Sequence, residues 1–324
     1  MRVRLLWELW PKIACPAFSC GGVVKVIFMG SSEFSVPTLE FLIGSQHEVL
    51  AVYTKAPKPA GRGHLLTKTP VHAYADAHNV PVRSPASLSS DSERDIIEKY
   101  MPDAIIVASY GMILPRWMLE VPRFGCINVH PSLLPRWRGA APMQHAILSG
   151  DAVTGVTIMQ LNERLDAGDI FLQESTPIGS RENIVALSER LSSMGGRMLL
   201  KVLDNLDTMR SVSQDDAGAT YAAKPSEFCV NFNDAADYIC RQVRAFYPRM
   251  FFFLDGKRVK LLEADNYELA GAQIGDVVND ELHIQCGNGT VLAPKIVQPE
   301  SKKPCDIRSF LRGFRGCVSN VLQR

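Results

Sequence analysis

Residues 127–142 read Ile-Asn-Val-His-Pro-Ser-Leu-Leu-Pro-Arg-Trp-Arg-Gly-Ala-Ala-Pro. The apolar run closing at Val129 has the character of the end of a buried strand. Pro131 and Pro135 then stop regular structure and stiffen a loop. Side chains alternate along a strand, so Asn128 and His130 share one side. An amide and an imidazole therefore stand together at the C-terminal end of a strand, where open α/β sheets bind ligands. Leu-Asp-Ala-Gly-Asp at 165–169 offers a carboxylate, Asp166, on a glycine-containing turn.

Outward from this stretch, short β-branched runs alternate with helical periodicity. Strands are expected at 24–29, 48–53, 104–109 and 126–129. Helices are expected from a Ser31 or Ser32 cap to Ile43, and over 70–78, 92–100 and 140–148. Residues 55–69 form a loop rich in Pro, Gly and basic side chains. This alternation predicts an α/β fold, a Rossmann-like, mostly parallel sheet covered on both faces. Gly30 follows the first strand without a G-x-G-x-x-G pattern, so dinucleotide binding is unsupported. A long helical period covers 184–206, weakened by Gly195-Gly196, and a polar inter-domain linker is expected at 209–226. Beyond it, a helix at 235–246 and short strands at 251–254, 258–263, 275–278, 282–285 and 290–297 suggest a small β-barrel. The expected division is an extension at 1–23, a catalytic domain at 24–208, the linker, and a second domain at 227–324.

A chain of 324 residues suits two domains, and 46% hydrophobic residues suffice for ordinary cores. The net charge of +1 creates no global field, so nucleic-acid affinity has to come from local patches. Residues 241–260 carry six basic side chains against Asp255 alone, and 295–324 carry seven against two acids. Such segments can track a phosphate backbone or form an ordinary solvated surface. The eight cysteines make no C-x-x-C pair and no zinc spacing, so no metal site is expected and the thiols read as free in a reducing compartment. No uninterrupted apolar run reaches membrane-spanning length. Residues 1–23, with Arg2, Arg4 and Lys12, read as a dispensable extension or an organelle presequence.

A carboxamide can donate to a developing oxyanion, and an imidazole can donate there or move a proton. A carboxylate can orient that imidazole. No serine or cysteine occupies an obvious nucleophile setting, and Cys126 reads as strand packing. Direct acyl transfer to an amine therefore suits these residues better than a covalent acyl-enzyme. Taken alone, the same three residues also suit a loop cap, a polar filler and a turn.

The run Asn-x-His-x-Ser-Leu-Leu-Pro-x-x-Arg-Gly-Ala-Ala-Pro resembles the signature of folate-dependent formyltransferases. With 154–160, 165–169, 26–30 and 59–63, then Arg244-Ala245-Phe246 and Gln298-Pro299, the chain resembles the methionyl-tRNA formyltransferase family from about Val24 to near its C-terminus. The resemblance implies an OB-like second domain and transfer of formyl from 10-formyltetrahydrofolate to methionyl initiator tRNA. It implies Asn128, His130 and Asp166 as catalytic residues and Ser132, Leu133, Leu134 and Pro135 as folate contacts. It implies Arg62, Arg244, Lys302 and Lys303 as tRNA contacts, no metal, no membrane, and a monomer working in a bacterial-type cytoplasm. An organelle matrix is the alternative if 1–23 is a presequence. The rival acceptor is a small amine, served by relatives that share Asn-x-His and the distant Asp, and a non-catalytic RNA-binding module is a further rival. Three positions depart from the family pattern: Arg164 replaces a glycine, and Tyr247 and Arg249 replace Asn and Trp around Pro248; the linker near Lys224 is also shorter than usual.

Overall fold

The computed structural model describes residues 22–60, 65–269 and 271–314. The first domain runs β1 (Lys25–Gly30), α1 (Val36–Ile43), β2 (Glu48–Tyr53), β3 (Lys58–Ala60), β4 (Leu65–Thr67), α2 (Pro70–Ala77), β5 (Val82–Arg83), α3 (Asp91–Tyr100), β6 (Ala104–Ala108), α4 (Arg116–Glu120) and β7 (Cys126–His130). It continues through β8 (Arg138–Gly139), α5 (Pro142–Leu148), β9 (Val153–Gln160), β10 (Ile170–Pro177), α6 (Ile184–Leu203) and β11 (Tyr221–Ala222). Seven strands form one sheet in the order β10-β9-β7-β6-β1-β2-β5. The five from β7 to β5 are parallel to their neighbours, and β9 and β10 are added antiparallel. The central strands β6 and β7 are buried at every position, as expected for a sheet covered on both faces.

The Gly195-Gly196 pair does not break α6. A Cβ on Gly195 would stand 2.5 Å from Val129 Cγ1, and one on Gly196 2.4 Å from Phe41. The two glycines cost helix propensity and allow α6 to lie close to β7 on one side and α1 on the other. The start of α1 differs from expectation. A 3₁₀ turn at Glu33–Ser35 precedes it, and neither Ser31 nor Ser32 caps it through its side chain. Ser31 Oγ instead accepts the Lys55 N–H at 3.1 Å. The expected loop at 55–69 contains the β3–β4 antiparallel hairpin.

The segment expected to be an open linker packs on the first domain. Val212 bridges Ile170, and β11 pairs in parallel with β8. Past it come α7 (Ala236–Ala245), β12 (Phe251–Leu254), β13 (Lys257–Glu268), β14 (Ile284–Gln285), β15 (Thr290–Pro299), β16 (Cys305–Asp306) and α8 (Ile307–Gly313). These strands form an antiparallel sheet ordered β12-β13-β15-β14, with β16 on β15. Residues 228–235 close it. Val230 N donates to Phe251 O at 2.8 Å on one edge, and Gly287 N donates to Phe232 O at 2.9 Å on the other. The sheet thus curls into a barrel-like body around Phe232, Phe252, Leu261 and Leu292. The expected strand at 275–278 is only an isolated bridge from Val277 to Ile284. A continuous apolar core runs through both domains where α5 meets α7. Among the described residues, no helix is long and apolar enough to cross a membrane.

Candidate active site

β7 ends in the Asn128-Val129-His130 triplet beside β6 and β9. Asn128 is 8% exposed and His130 4%, so both face a wall nearly closed by protein. Asn128 has no hydrogen-bond partner for its amide among the described residues. The imidazole Nε2 of His130 lies 3.0 Å from Trp137 O. A carbonyl only accepts, so that nitrogen carries the proton, an assignment made from the network. Nδ1 then faces Asp166, whose Oδ2 stands 3.7 Å away, too far for a hydrogen bond and close enough to stabilise an imidazolium.

Asp166 is held from several directions. Its Oδ2 accepts the Gly139 N–H at 2.8 Å. Its backbone has φ +47°, a left-handed conformation uncommon for residues with a Cβ and best tolerated by Asp and Asn. A Cβ on Gly168 would stand 1.9 Å from Gln160 O, so the turn passes where only glycine fits. Gln214 donates to Asp166 O at 2.9 Å and to Gly168 O at 2.7 Å. Arg138, 1% exposed, donates to Gln214 Oε1 from Nε at 3.1 Å and Nη2 at 2.8 Å and pairs with Asp216 Oδ1 at 2.8 Å. Arg164 pairs with the other oxygen of Asp216.

The prolyl loop after His130 is bonded inward. Ser132 is fully buried and donates to Arg136 O at 2.6 Å, and its carbonyl accepts from Thr157 Oγ1 at 2.6 Å. Leu134 N donates to Thr157 Oγ1 at 3.2 Å, and Leu134 O accepts from Gln173 at 2.9 Å. Pro135 O accepts from Thr220 N, and the Leu134-Pro135 peptide is cis. What this loop offers outward is the half-buried surface of Leu133 and Pro135. Cys126 is buried and its thiol donates to Met118 O, and burial pushes it up to about 12, so it packs the strand.

The basic side chains of the second domain do not share one free face. Arg241 donates to Leu148 O at 2.9 Å and pairs with Asp237. Arg244 donates to the carbonyls of Gly179 and Glu182, both at 3.4 Å, and burial holds its guanidinium below the usual range. It lines a cleft of about 710 Å³ between the domains with Arg181, Asn183 and Asp265. Arg249 and Arg258 lie over the rings of Phe228 and Phe251, at 3.6 and 3.9 Å from their centroids. Lys302 and Lys303 stand exposed on the turn after β15 with no ion pair among the described residues. Arg62 lies outside the described residues. Among the described residues, no three His, Cys, Asp or Glu side chains gather as a metal site.

Gln214, Thr157, Gln173 and the Trp137 carbonyl carry the support of this site; Thr157 and Trp137 lie within the motif stretches without being singled out there, and Gln173 and Gln214 lie outside them. One signal was available: a charged Arg138 followed by the small, apolar Gly-Ala-Ala-Pro has to find polar partners if buried. The sequence does not show that the partner lies 76 residues further on.

Comparison with known proteins places the chain in a family. The Formyl transferase family matches residues 24–203, and Formyl transferase, C-terminal domain, matches 223–315. The chain is 62% identical over 294 residues to the methionyl-tRNA formyltransferase of Anaplasma phagocytophilum (strain HZ), covering 90% of this chain and 98% of that one. It is 51% identical over 296 residues to that of Ehrlichia canis (strain Jake), covering 90% and 97%. Among solved structures, a variant of HypX from Aquifex aeolicus shares the fold, with a TM-score of 0.61 at 18% identity over 90% of this chain and 49% of that one.

Proposed function

The chain belongs to the methionyl-tRNA formyltransferase family, and on that premise we propose that it moves the formyl group of 10-formyltetrahydrofolate to the α-amine of methionyl initiator tRNA. One observation carries the assignment of roles. His130 Nδ1 faces Asp166 at 3.7 Å on the wall where Asn128 keeps its amide unbonded. An α-amine titrates near ~8, and an adjacent ester lowers that, so a useful fraction is already nucleophilic at neutral pH. As the amine nitrogen bonds to the formyl carbon, negative charge gathers on the formyl oxygen. The Asn128 amide donates to that oxygen.

The attacking nitrogen must lose a proton, and the departing N10 must gain one. With Nε2–H held by Trp137 O, Nδ1 of His130 is the nitrogen free to carry the proton between them. Asp166 stabilises the imidazolium formed on the way. When the bond to N10 breaks, the proton goes with it, and the side chains return to their starting state. Positioning the two bound substrates supplies much of the acceleration. Leu133 and Pro135 present the apolar surface for the folate, and Lys302, Lys303, Arg244 and Arg62 are the tRNA contacts in this reading. The bacterial relatives support the cytoplasm as its compartment, and in this reading the chain works as a monomer. The test is incubation with charged methionyl initiator tRNA and 10-formyltetrahydrofolate. Formylmethionine on the tRNA supports the reading, and turnover only with small amines overturns it.

A further inference from the structure

We propose that Gln214 is a positioning residue for the formyl transfer, holding the Asp166 turn against His130 from a segment outside the signature motifs. This rests on the reading of Asp166 as part of the reacting set.

All the polar capacity of the Gln214 side chain is spent at one place. Its Nε2 donates twice, to Asp166 O and Gly168 O, and its Oε1 accepts twice, from Arg138 Nε and Nη2. An amide satisfied at both ends has one orientation. Arg138 is followed by Gly139, whose N–H holds the Asp166 carboxylate. One side chain therefore joins the backbone of the Asp166 turn to the strand that grips its carboxylate. Asp166 sits at φ +47°, a left-handed conformation uncommon outside glycine that aspartate tolerates, and the two donated bonds select it for the turn. Gln214 is itself fixed, since the flanking Val212 bridges Ile170 and Tyr221–Ala222 pair with Arg138–Gly139.

A role limited to packing makes a different demand. Arg138 is buried and needs an acceptor, which any oxygen at Oε1 supplies. The two carbonyls need donors, which only the amide supplies. Gln214→Glu separates these roles: it keeps the oxygen for Arg138, removes both donors, and sets a carboxylate against two carbonyl oxygens. We expect Gln214→Glu to stay folded at the assay temperature, with a lower melting temperature from the two carbonyls left without donors, and to keep the KM for 10-formyltetrahydrofolate while kcat falls about 10–100-fold, the scale of a small misplacement in a reacting set. In an Asp166→Ala background the same substitution should cost nothing further, because the group being positioned is gone.

Wild-type kcat in Gln214→Glu, or an equal loss with and without Asp166, overturns the proposal. If Gln214→Glu does not stay folded at the assay temperature, the same cycle is run with Gln214→Met, which keeps the volume and drops all four bonds. Wild-type turnover in Asp166→Ala itself would instead defeat the reading of Asp166, which makes the two failures distinguishable.

Discussion

Arg83 and Arg138 each hold a guanidinium against polar partners in the first domain, and they differ in where those partners lead. Arg83 donates to Glu93 from Nε at 2.8 Å and Nη2 at 3.0 Å, and Tyr53 gives its hydroxyl to the same carboxylate at 2.7 Å. Burial works against the Glu93 carboxylate, but the hydrogen bonds from Arg83 and Tyr53 outweigh it and hold it below the usual range. Burial and Glu93 together push the Tyr53 phenol up. That set is closed, and each group is spent on another. The Arg138 set runs through Gln214 to the Asp166 turn and through Asp216 to Arg164, and among the described residues His130 Nδ1 and the Asn128 amide have no hydrogen-bond partner. A closed network fixes a sheet edge, whereas an open one spends its bonds on the supports and leaves the reacting atoms available.

The largest effect should come from the open end. Asn128→Ala or His130→Ala should lower kcat by about 10²–10³, the usual consequence of losing one donor or proton carrier, with the fold intact. Steady-state formylation beside a thermal melt checks this. Near-normal turnover in a folded variant removes that residue from the step and erases the contrast with Arg83.

Glu93→Gln tests the closed end and should do the reverse: turnover unchanged, and stability lower by about 1–2 kcal/mol, reduced by the screening of a partly exposed Arg83. The folded-state value of Glu93 lies below its unfolded value. Its contribution is therefore full above the unfolded carboxylate value of roughly 4.3 and is lost as pH falls through the folded one. Urea melts of the wild type and Glu93→Gln should converge as pH drops from about 5 to 3. A gap that widens with acid reverses the assignment.

The same contrast explains what the sequence revealed. β1, β2, β6 and β7 announce themselves because strands buried on both faces are continuous apolar runs. β10 is an edge strand whose burial follows no period, and β8, β11 and β16 are only two residues long, so neither carries a pattern. The β3–β4 hairpin sits in a stretch whose Pro and Gly content reads as loop. Asn128, His130 and Asp166 were legible because strand alternation and the signature mark them. Gln214 was not, because its role arises from bonds to carbonyls 46 and 48 residues away, which no local pattern encodes.

A third comparison sets bonded cations against free ones. Arg241, Arg244, Arg249 and Arg258 are occupied by carbonyls, an acid or aromatic rings, whereas Lys302 and Lys303 are exposed with no ion pair among the described residues. Replacing both lysines with alanine should raise the KM for tRNA several-fold. The slope of log affinity against log salt should become shallower by about 2, one for each phosphate no longer neutralised. Folate binding should not change. An unchanged salt slope would move the tRNA contact to the arginines.

The smallest effect should come from the departure at Arg164. Arg138 and Arg164 share Asp216, one from inside the protein and one from its surface. The side chain of Arg164 is 62% exposed, so water and salt screen its attraction and its flexible stem loses entropy in making the pair. Arg138 has no water to fall back on, and its hold on the Asp166 turn passes through Gln214 whether or not Arg164 is present. Arg164→Gln should therefore change kcat/KM by less than about twofold at physiological salt, and the difference should vanish at 1 M salt, where the Debye length is about 3 Å. A loss above about fivefold that survives high salt would mean the surface arm also holds the turn. The open network would then extend to the surface of the protein, and Arg164 would be part of this enzyme's support for Asp166.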